Sequence, residues 1–356
     1  GEVRRPPAER SAVVDPRGAI VKRRRTVRVL WIVCLSVAAL LVAPLIGYRL
    51  INPLDVLGGG LTELEMQIFW DIRVPRVCLG ALAGAGLALS GMVFQAMFRN
   101  VLATPFTLGV SSGASLGAAL CVVLGLQFSL VGIAGVSLCA FAGALLAILL
   151  VYGITLMRPG FSAASTLLAG VAVSFFFSSL ILFSQYLSDF AGSYRIVRWL
   201  MGGFDLVGYQ AVLSVLPFVV SGVALVAYLL HELNLLTVGD DVAASRGVDC
   251  VKTRRLLFFA TSLMVGGIVA VCGPIGFIGM MAPHICRLLV GHDHLRLMPT
   301  TLLFGAAFLV LCDGFARAVT GSYAEIPVGV ITALLGGPFF LWLLVSDTGG
   351  GRLMED

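Results

Sequence analysis

The chain has 356 residues, of which 59% are hydrophobic and 12% charged, with a net charge of +5. A soluble domain carries about a quarter charged residues and under half apolar ones, so this composition excludes an ordinary water-soluble fold and fits a polypeptide solvated by lipid. The mean hydropathy of +1.01 agrees, and the lack of a long stretch interleaving basic with aromatic residues excludes a nucleic-acid binder.

Residues 1–25 form the first element, a polar tail rich in Arg and Pro that ends in Lys22, Arg23, Arg24 and Arg25. The apolar run behind it is longer than a signal-peptide core and lacks a small-x-small cleavage site, so it reads as a retained first helix. Ten spanning helices are expected at roughly 27–48, 75–97, 107–125, 131–157, 163–187, 208–231, 253–272, 275–291, 299–320 and 327–346. The breaks between them carry Pro, Gly or charge, and residues 348–356 form a short C-terminal tail. With the N-terminus in the cytoplasm, ten crossings return the C-terminus to the same side. Eighteen of the 24 basic residues then collect there, and Arg49, Arg73, Arg76, Arg195, Arg198 and Arg317 fall on the other. The positive-inside rule supports that orientation and count.

Polar residues inside this apolar frame are the candidates for function. Arg73 and Arg76 flank Pro75 where the second span enters from outside; they either snorkel to head groups or steer an acidic partner. Gly80 with Gly84, and Gly109 with Gly113 and Gly117, recur at intervals of four, which suits close helix packing in lipid. Tyr194, Arg195, Arg198 and Trp199 suit a short helix lying at the interface. Between the sixth and seventh spans, Asp240 and Asp241 oppose the dipole at the start of a short helix and Gly247 suits its end; that helix either docks on a partner or is a solvated loop. Gly273, Pro274, Gly276, Gly279 and Pro283 interrupt the eighth span, which marks a pathway region. Asp313 and Arg317, four apart in the ninth span, pair on one face.

Several chemistries find no support. No Walker motif precedes either lysine, and neither H-E-x-x-H nor a nucleophile elbow is present. The eight cysteines make no C-x-x-C and read as small buried hydrophobes. His284 and His292 lie about 12 Å apart along a continuous helix, so they do not share one metal ion. His292 and His294 sit at the cytoplasmic edge. An ion-coupled secondary transporter needs ionisable groups in mid-membrane, and only Asp313 hints at one. A scaffold or receptor without transport is the other alternative.

The stretches "IRVPRVCLGALAGAGLALSGMVFQAMFRNVLATPFTLGVSSGASLG", "STLLAGVAVS", "RWLMGGF", "GPIGFIGMMAPHICRLLVGHDHLRLMP" and "AEIPVGVITALLGGPFFLWLL" resemble the iron-chelate (FecCD-type) permease family of bacterial ABC importers. Members of that family carry ferric siderophores, haem or cobalamin. The resemblance implies an all-α, ten-helix type II importer permease with inverted repeats over residues 26–347, in the bacterial inner membrane. It implies a homodimer served by two cytoplasmic ATPase subunits, which bind the ATP and Mg, and by an extracytoplasmic binding protein; this chain itself takes no cofactor and no resident metal, and is not an enzyme. By position, Arg73, Arg76 and Arg317 receive glutamates of the binding protein. Gly239, Asp240, Asp241, Ala243, Ala244 and Gly247 fall in the ATPase-coupling segment. Asn100, Leu102, Phe161 and Ser162 fall in the cytoplasmic gate, where the family's Asn-Pro-Leu reads Asn100, Val101, Leu102. An iron chelate is the expected cargo, with cobalamin the alternative.

Overall fold

The computed structural model describes residues 16–46, 52–58, 60, 62–130, 132–157, 163–205, 208–320 and 325–347. Most of the expected N-terminal tail, the C-terminal tail, Phe161 and Ser162 lie outside the described residues. The rest is almost wholly helical. In chain order the helices are α1 (Pro16–Val42), α2 (Pro53–Gly58), α3 (Glu63–Gln67), α4 (Val74–Phe98), α5 (Val110–Val123), α6 (Gly135–Leu156), α7 (Ala163–Leu187) and α8 (Phe190–Leu200). They continue as α9 (Tyr209–Tyr228), α10 (Leu230–Val238), α11 (Asp240–Ser245), α12 (Cys250–Cys272), α13 (Ile278–Val290), α14 (His294–Thr320) and α15 (Val328–Asp347). A two-stranded antiparallel ribbon precedes α6, with Ser129 opposite Ala134 and Leu130 opposite Ile133. Among the described residues, seven helical stretches are long and apolar enough to cross a membrane, and three shorter apolar helices accompany them. The chain is an integral membrane protein of several spanning helices.

Helix α1 starts at Pro16, inside the stretch read as tail. The second span, read as 75–97, belongs to a longer helix. Residues 63–98 are continuous, and a wide turn over Ile68–Arg73 joins α3 to α4. Pro75 lacks an N–H and its ring crowds the preceding turn, and the wide turn before it relieves that crowding. The sixth span, read as 208–231, is two helices, α9 and α10, which meet at Leu229.

Helix α4 lies at the centre: its residues from Ala83 to Phe98 are nearly all buried, while α1 is the most exposed of the long helices. Lipid is as apolar as Leu, so packing depends on close backbone approach. A Cβ at Gly84 would overlap the Gly305 carbonyl of α14, and one at Gly91 would overlap the Gly279 carbonyl of α13. Helices α5 and α6 meet in the same way, Gly113 on Gly143 and Gly117 on the Cys139 carbonyl. Gly109, by contrast, precedes α5 with φ of +81°, a left-handed conformation that favours Gly.

Between α12 and α13 the helix is broken at Gly273 and Pro274. Phe277 opens α13 with φ of +67°, a region costly for a bulky side chain. Its ring lies against Gly336 of α15, where any Cβ would overlap it. The shapes of α13 and α15 therefore fit one another at this break.

Candidate functional site

Three sets of polar or cleft-lining residues stand out, two at opposite ends of α4 and one between them. Arg76 and Arg99 bracket that helix, separated by about 35 Å at the helical rise.

The first set is built on the wide turn before α4, which carries Arg73 and Arg76 onto the flank of α14. Arg76 grips Asp313 through two nitrogens, Nη2 to Oδ1 at 2.9 Å and Nε to Oδ2 at 3.1 Å. Its remaining Nη1 donates to Glu325 Oε2 at 2.8 Å. Arg317 Nε lies 3.0 Å from Asp313 Oδ2, as the i,i+4 spacing predicts, and its Nη1 donates to the Ile46 carbonyl at 3.1 Å. Arg73 Nη1 donates to the carbonyls of Pro44 and Leu45, each at 3.3 Å, in the short turn that ends α1. The side chains of Asp313, Arg317 and Arg76 are only 4%, 9% and 14% exposed. The three arginines assigned to docking are thus brought together, and each is already engaged inside the chain. Glu325, a member of this cluster, gives no sign in the sequence, because no periodicity links residues 76, 313 and 325.

The second set is centred on α11. Gly239 and Gly247 flank the helix, and Gly247 is left-handed, with φ of +83°. Ala243 is fully buried, so it anchors the helix. Asp240 is held by Arg254 Nη1 and Nη2 at 2.8 and 2.6 Å and by Arg99 Nη2 at 2.6 Å. The hydrogen bonds from Arg254, with the positive charges of Arg254 and Arg99, hold its carboxyl below the usual carboxylate range. Asp241, Val242, Ala244 and Ser245 remain exposed. Val242, absent from the sequence candidates, adds an apolar tip to that outward face; it alternates with the buried Ala243, and only the fold shows which of the two points out. Close by, Asn100 Oδ1 accepts from the Leu102 N–H at 2.9 Å. This turn uses the amide of residue 102, so it forms without a proline at 101, and it leaves Leu102 exposed.

The histidine-bearing segment is also structural here. His294 Nδ1 lies 2.6 Å from Asn234 Oδ1, and Asn234 Nδ2 donates to Asp293 at 3.2 Å, which ties α10 to α14. His284 is buried and its ring packs edge-on against Phe339. Gln95 donates to the carbonyls of Gly279 and Met280 and accepts from Arg287. Among the described residues, no three His, Cys, Asp or Glu are grouped to hold a metal ion.

The third set is a cleft of about 420 Å³ between the two ends. Leu87 of α4, the loop Thr104–Thr107, Ser174, Phe175 and Ser178 of α7, and Gly276, Phe277, Gly279 and Met280 around the α12–α13 break line it. Thr104 and Thr107 brace the loop, with Thr107 Oγ1 donating to the Thr104 carbonyl at 2.7 Å. The walls present hydroxyls and apolar groups and no charge, which suits passage more than tight capture.

A helical membrane bundle with an arginine cluster at one end, a pinned amphipathic helix at the other and an uncharged cleft between them has the build of an ABC transporter permease. Comparison with known proteins agrees, and the chain belongs to the FecCD transport family, whose model matches residues 31–346. It is 40% identical over 332 residues to the vitamin B12 import system permease protein BtuC of Salmonella typhi, covering 92% of this chain and 97% of that one. It is 42% identical over 289 residues to the cobalamin import system permease protein BtuC of Halobacterium salinarum, covering 80% and 75%. An uncharacterized ABC transporter permease protein, YvrB of Bacillus subtilis, is 39% identical over 295 residues, 83% of each chain. Among solved structures, an inward-facing metal-chelate type ABC transporter superposes with a TM-score of 0.79 at 32% identity, over 89% of this chain and 98% of that one.

Proposed function

We propose that this chain is the membrane-spanning subunit of a type II ABC importer, working as a homodimer with ten spanning helices per copy in the bacterial inner membrane. The Arg76 end faces outward, and the Asp240 end and both termini face the cytoplasm, as the distribution of basic residues favours. The proposed cargo is a metal chelate. Similarity to the two BtuC proteins favours cobalamin, and similarity to the metal-chelate type transporter keeps an iron chelate as the second reading.

In this mechanism two ATPase subunits seat α11 through Asp241, Val242, Ala244 and Ser245. Their closure on ATP and Mg pushes α11, and the push passes through Asp240 to Arg99. Arg99 is covalently joined to Asn100, so the loop bearing Leu102 moves with it. That loop, with Phe161 and Ser162, gates the cytoplasmic mouth of a pathway to which the uncharged cleft belongs. At the other end, carboxylates of an extracytoplasmic binding protein meet Arg73, Arg76 and Arg317. Alternating access follows from the switching of the two mouths.

One observation carries this reading: similarity to a vitamin B12 permease extends over 97% of that protein and includes both ends of the machine. The test is reconstitution with the neighbouring ATPase and binding protein. The binding protein is titrated with cyanocobalamin, a ferric hydroxamate siderophore and haemin, and ATP-driven uptake of whichever binds is then measured. Arg73→Glu with Arg76→Glu weakens capture of the binding protein, and pull-down of the ATPase subunits checks that the variant still assembles. Unchanged capture rejects the docking role, and uptake that stops when only an ion gradient is collapsed rejects the ABC reading.

A further inference from the structure

Among the described residues, the cluster around Arg76 contains three guanidiniums and two carboxylates, and the two carboxylates are not equivalent. Asp313 is 4% exposed and takes two nitrogens of Arg76. Glu325 is 50% exposed and takes only Nη1. Half-exposed ion pairs are weak because water competes for both partners, so Glu325 is the carboxylate that another can replace. The geometry of the fork agrees. Nε and Nη2 face the buried Asp313, and the remaining Nη1 faces the half-exposed Glu325.

Glu325 also stands at a mechanical junction. It lies three residues before α15, and its backbone carbonyl accepts from Arg198 Nη1 of α8 at 3.3 Å. The Gly203 N–H donates to the Cys272 carbonyl at 2.8 Å, and the Gly329 N–H donates to the Gly202 carbonyl at 3.2 Å. A Cβ at Gly202 would overlap the Pro274 carbonyl, and one at Gly329 would overlap the Met201 carbonyl. The end of α8, the α12–α13 break and the start of α15 are therefore knotted together by backbone. The Glu325–Arg76 pair fastens that knot to α4 and α14.

We propose that Glu325 is a displaceable internal counter-ion: it holds on Arg76 the place of a carboxylate from the extracytoplasmic binding protein, and its displacement loosens the start of α15 and the end of α8 from α4. Glu325 is thus a positioning residue that turns docking into opening of the outer mouth. This rests on the docking role given above to Arg76.

The experiment uses the assembled transporter in nanodiscs, in a background with the native cysteines replaced and with Phe204→Cys, a position 3% exposed beside Gly80 of α4, as reporter. The rate of modification by a charged, membrane-impermeant maleimide is measured without binding protein or nucleotide. Glu325→Gln raises that rate about three- to fivefold, toward the rate the wild-type background shows under saturating binding protein, and Glu325→Asp returns it toward the slow value. An unchanged rate in Glu325→Gln overturns the proposal, as does capture of binding protein by the wild-type background with no change in rate. Because a loss of charge can impair assembly, ionic strength provides a second reading, since salt screens a half-exposed pair far more than a buried one. Faster labelling of the wild-type background at about 0.5 M than at about 0.05 M salt, with Glu325→Gln insensitive, supports the latch, and the same salt response in both overturns it. Failure of the wild-type background to capture any binding protein counts against the docking role instead, and the Glu325→Gln rate still decides whether the latch exists.

Discussion

Arg99 and Asp240, 141 residues apart in sequence, meet at 2.6 Å at the foot of α4. Arg99 ends that helix in a left-handed conformation, with φ of +48°, and it also holds the Leu236 carbonyl through Nε and Nη2. Its backbone leads straight into Asn100. A push on α11 thus has a short physical route to the loop bearing Leu102. Replacing Asp240 with Asn keeps the shape and removes the charge that both Arg99 and Arg254 grip. Uptake per ATP hydrolysed then falls by roughly tenfold, the scale of an ordinary coupling energy, while basal hydrolysis persists. Parallel uptake and hydrolysis assays on proteoliposomes check this; an unchanged ratio removes Asp240 from the transmission.

The same carboxylate sets a dependence on pH. Arg254, then Arg99, lowers its pKa in the folded protein. A depressed carboxylate contributes stability that is fully present above its unfolded pKa of about 4 and is lost as pH falls through the folded value. The difference in thermal midpoint between wild type and Asp240→Asn therefore stays constant from about pH 8 to pH 5 and shrinks only below about pH 4. A difference that shrinks between pH 7 and 6 points to another titrating group.

Much of this is legible in the sequence because the solvent is legible. Long apolar runs broken by Pro, Gly and charge mark spans whatever their tertiary partners, and the i,i+4 pair of Asp313 and Arg317 is fixed by helix geometry alone. The limits of α11 are readable too, since Asp240 with Asp241 suits a helix start and Gly247 its end. Long-range closure is not readable. Asp313 is shared with Arg76 across 237 residues, and Asp240 with Arg99 and Arg254, and neither pairing has a local spacing. Pro75 misleads for a different reason: a proline signals a helix start, yet the wide turn before it lets α3 run on into α4.

The glycine faces give a prediction with an internal control. A Cβ at Gly91 would overlap the Gly279 carbonyl, a backbone atom that moves only with its helix; a Cβ at Gly314 or Gly337 would meet nothing within 4 Å. Gly91→Ala therefore forces α4 from α13 and costs about 3 kcal/mol or more, the upper range for overpacking. Gly314→Ala and Gly337→Ala leave the thermal midpoint near wild type or slightly above it. Detergent-solubilised protein followed by size-exclusion chromatography and thermal melting distinguishes them, and equal effects at Gly91 and Gly314 remove close backbone approach as the basis of packing.

Asp313 carries the sharpest stability prediction. Its side chain is 4% exposed and it neutralises two guanidiniums that are themselves 9% and 14% exposed. Removing one member of a buried pair strands the other charge, and such changes cost about 3–5 kcal/mol. Asp313→Asn thus lowers the thermal midpoint sharply, whereas Glu325→Gln, whose carboxylate is half in water, costs under about 1 kcal/mol. If the loss arises from stranded charge rather than from a missing hydrogen bond, removing a stranded partner recovers part of it. Asp313→Asn with Arg317→Gln is then more stable than Asp313→Asn alone, although it carries one more substitution. A double variant that melts at the sum of the two single losses means that Asp313 and Arg317 do not sense one another, and the cluster is then a set of separate contacts.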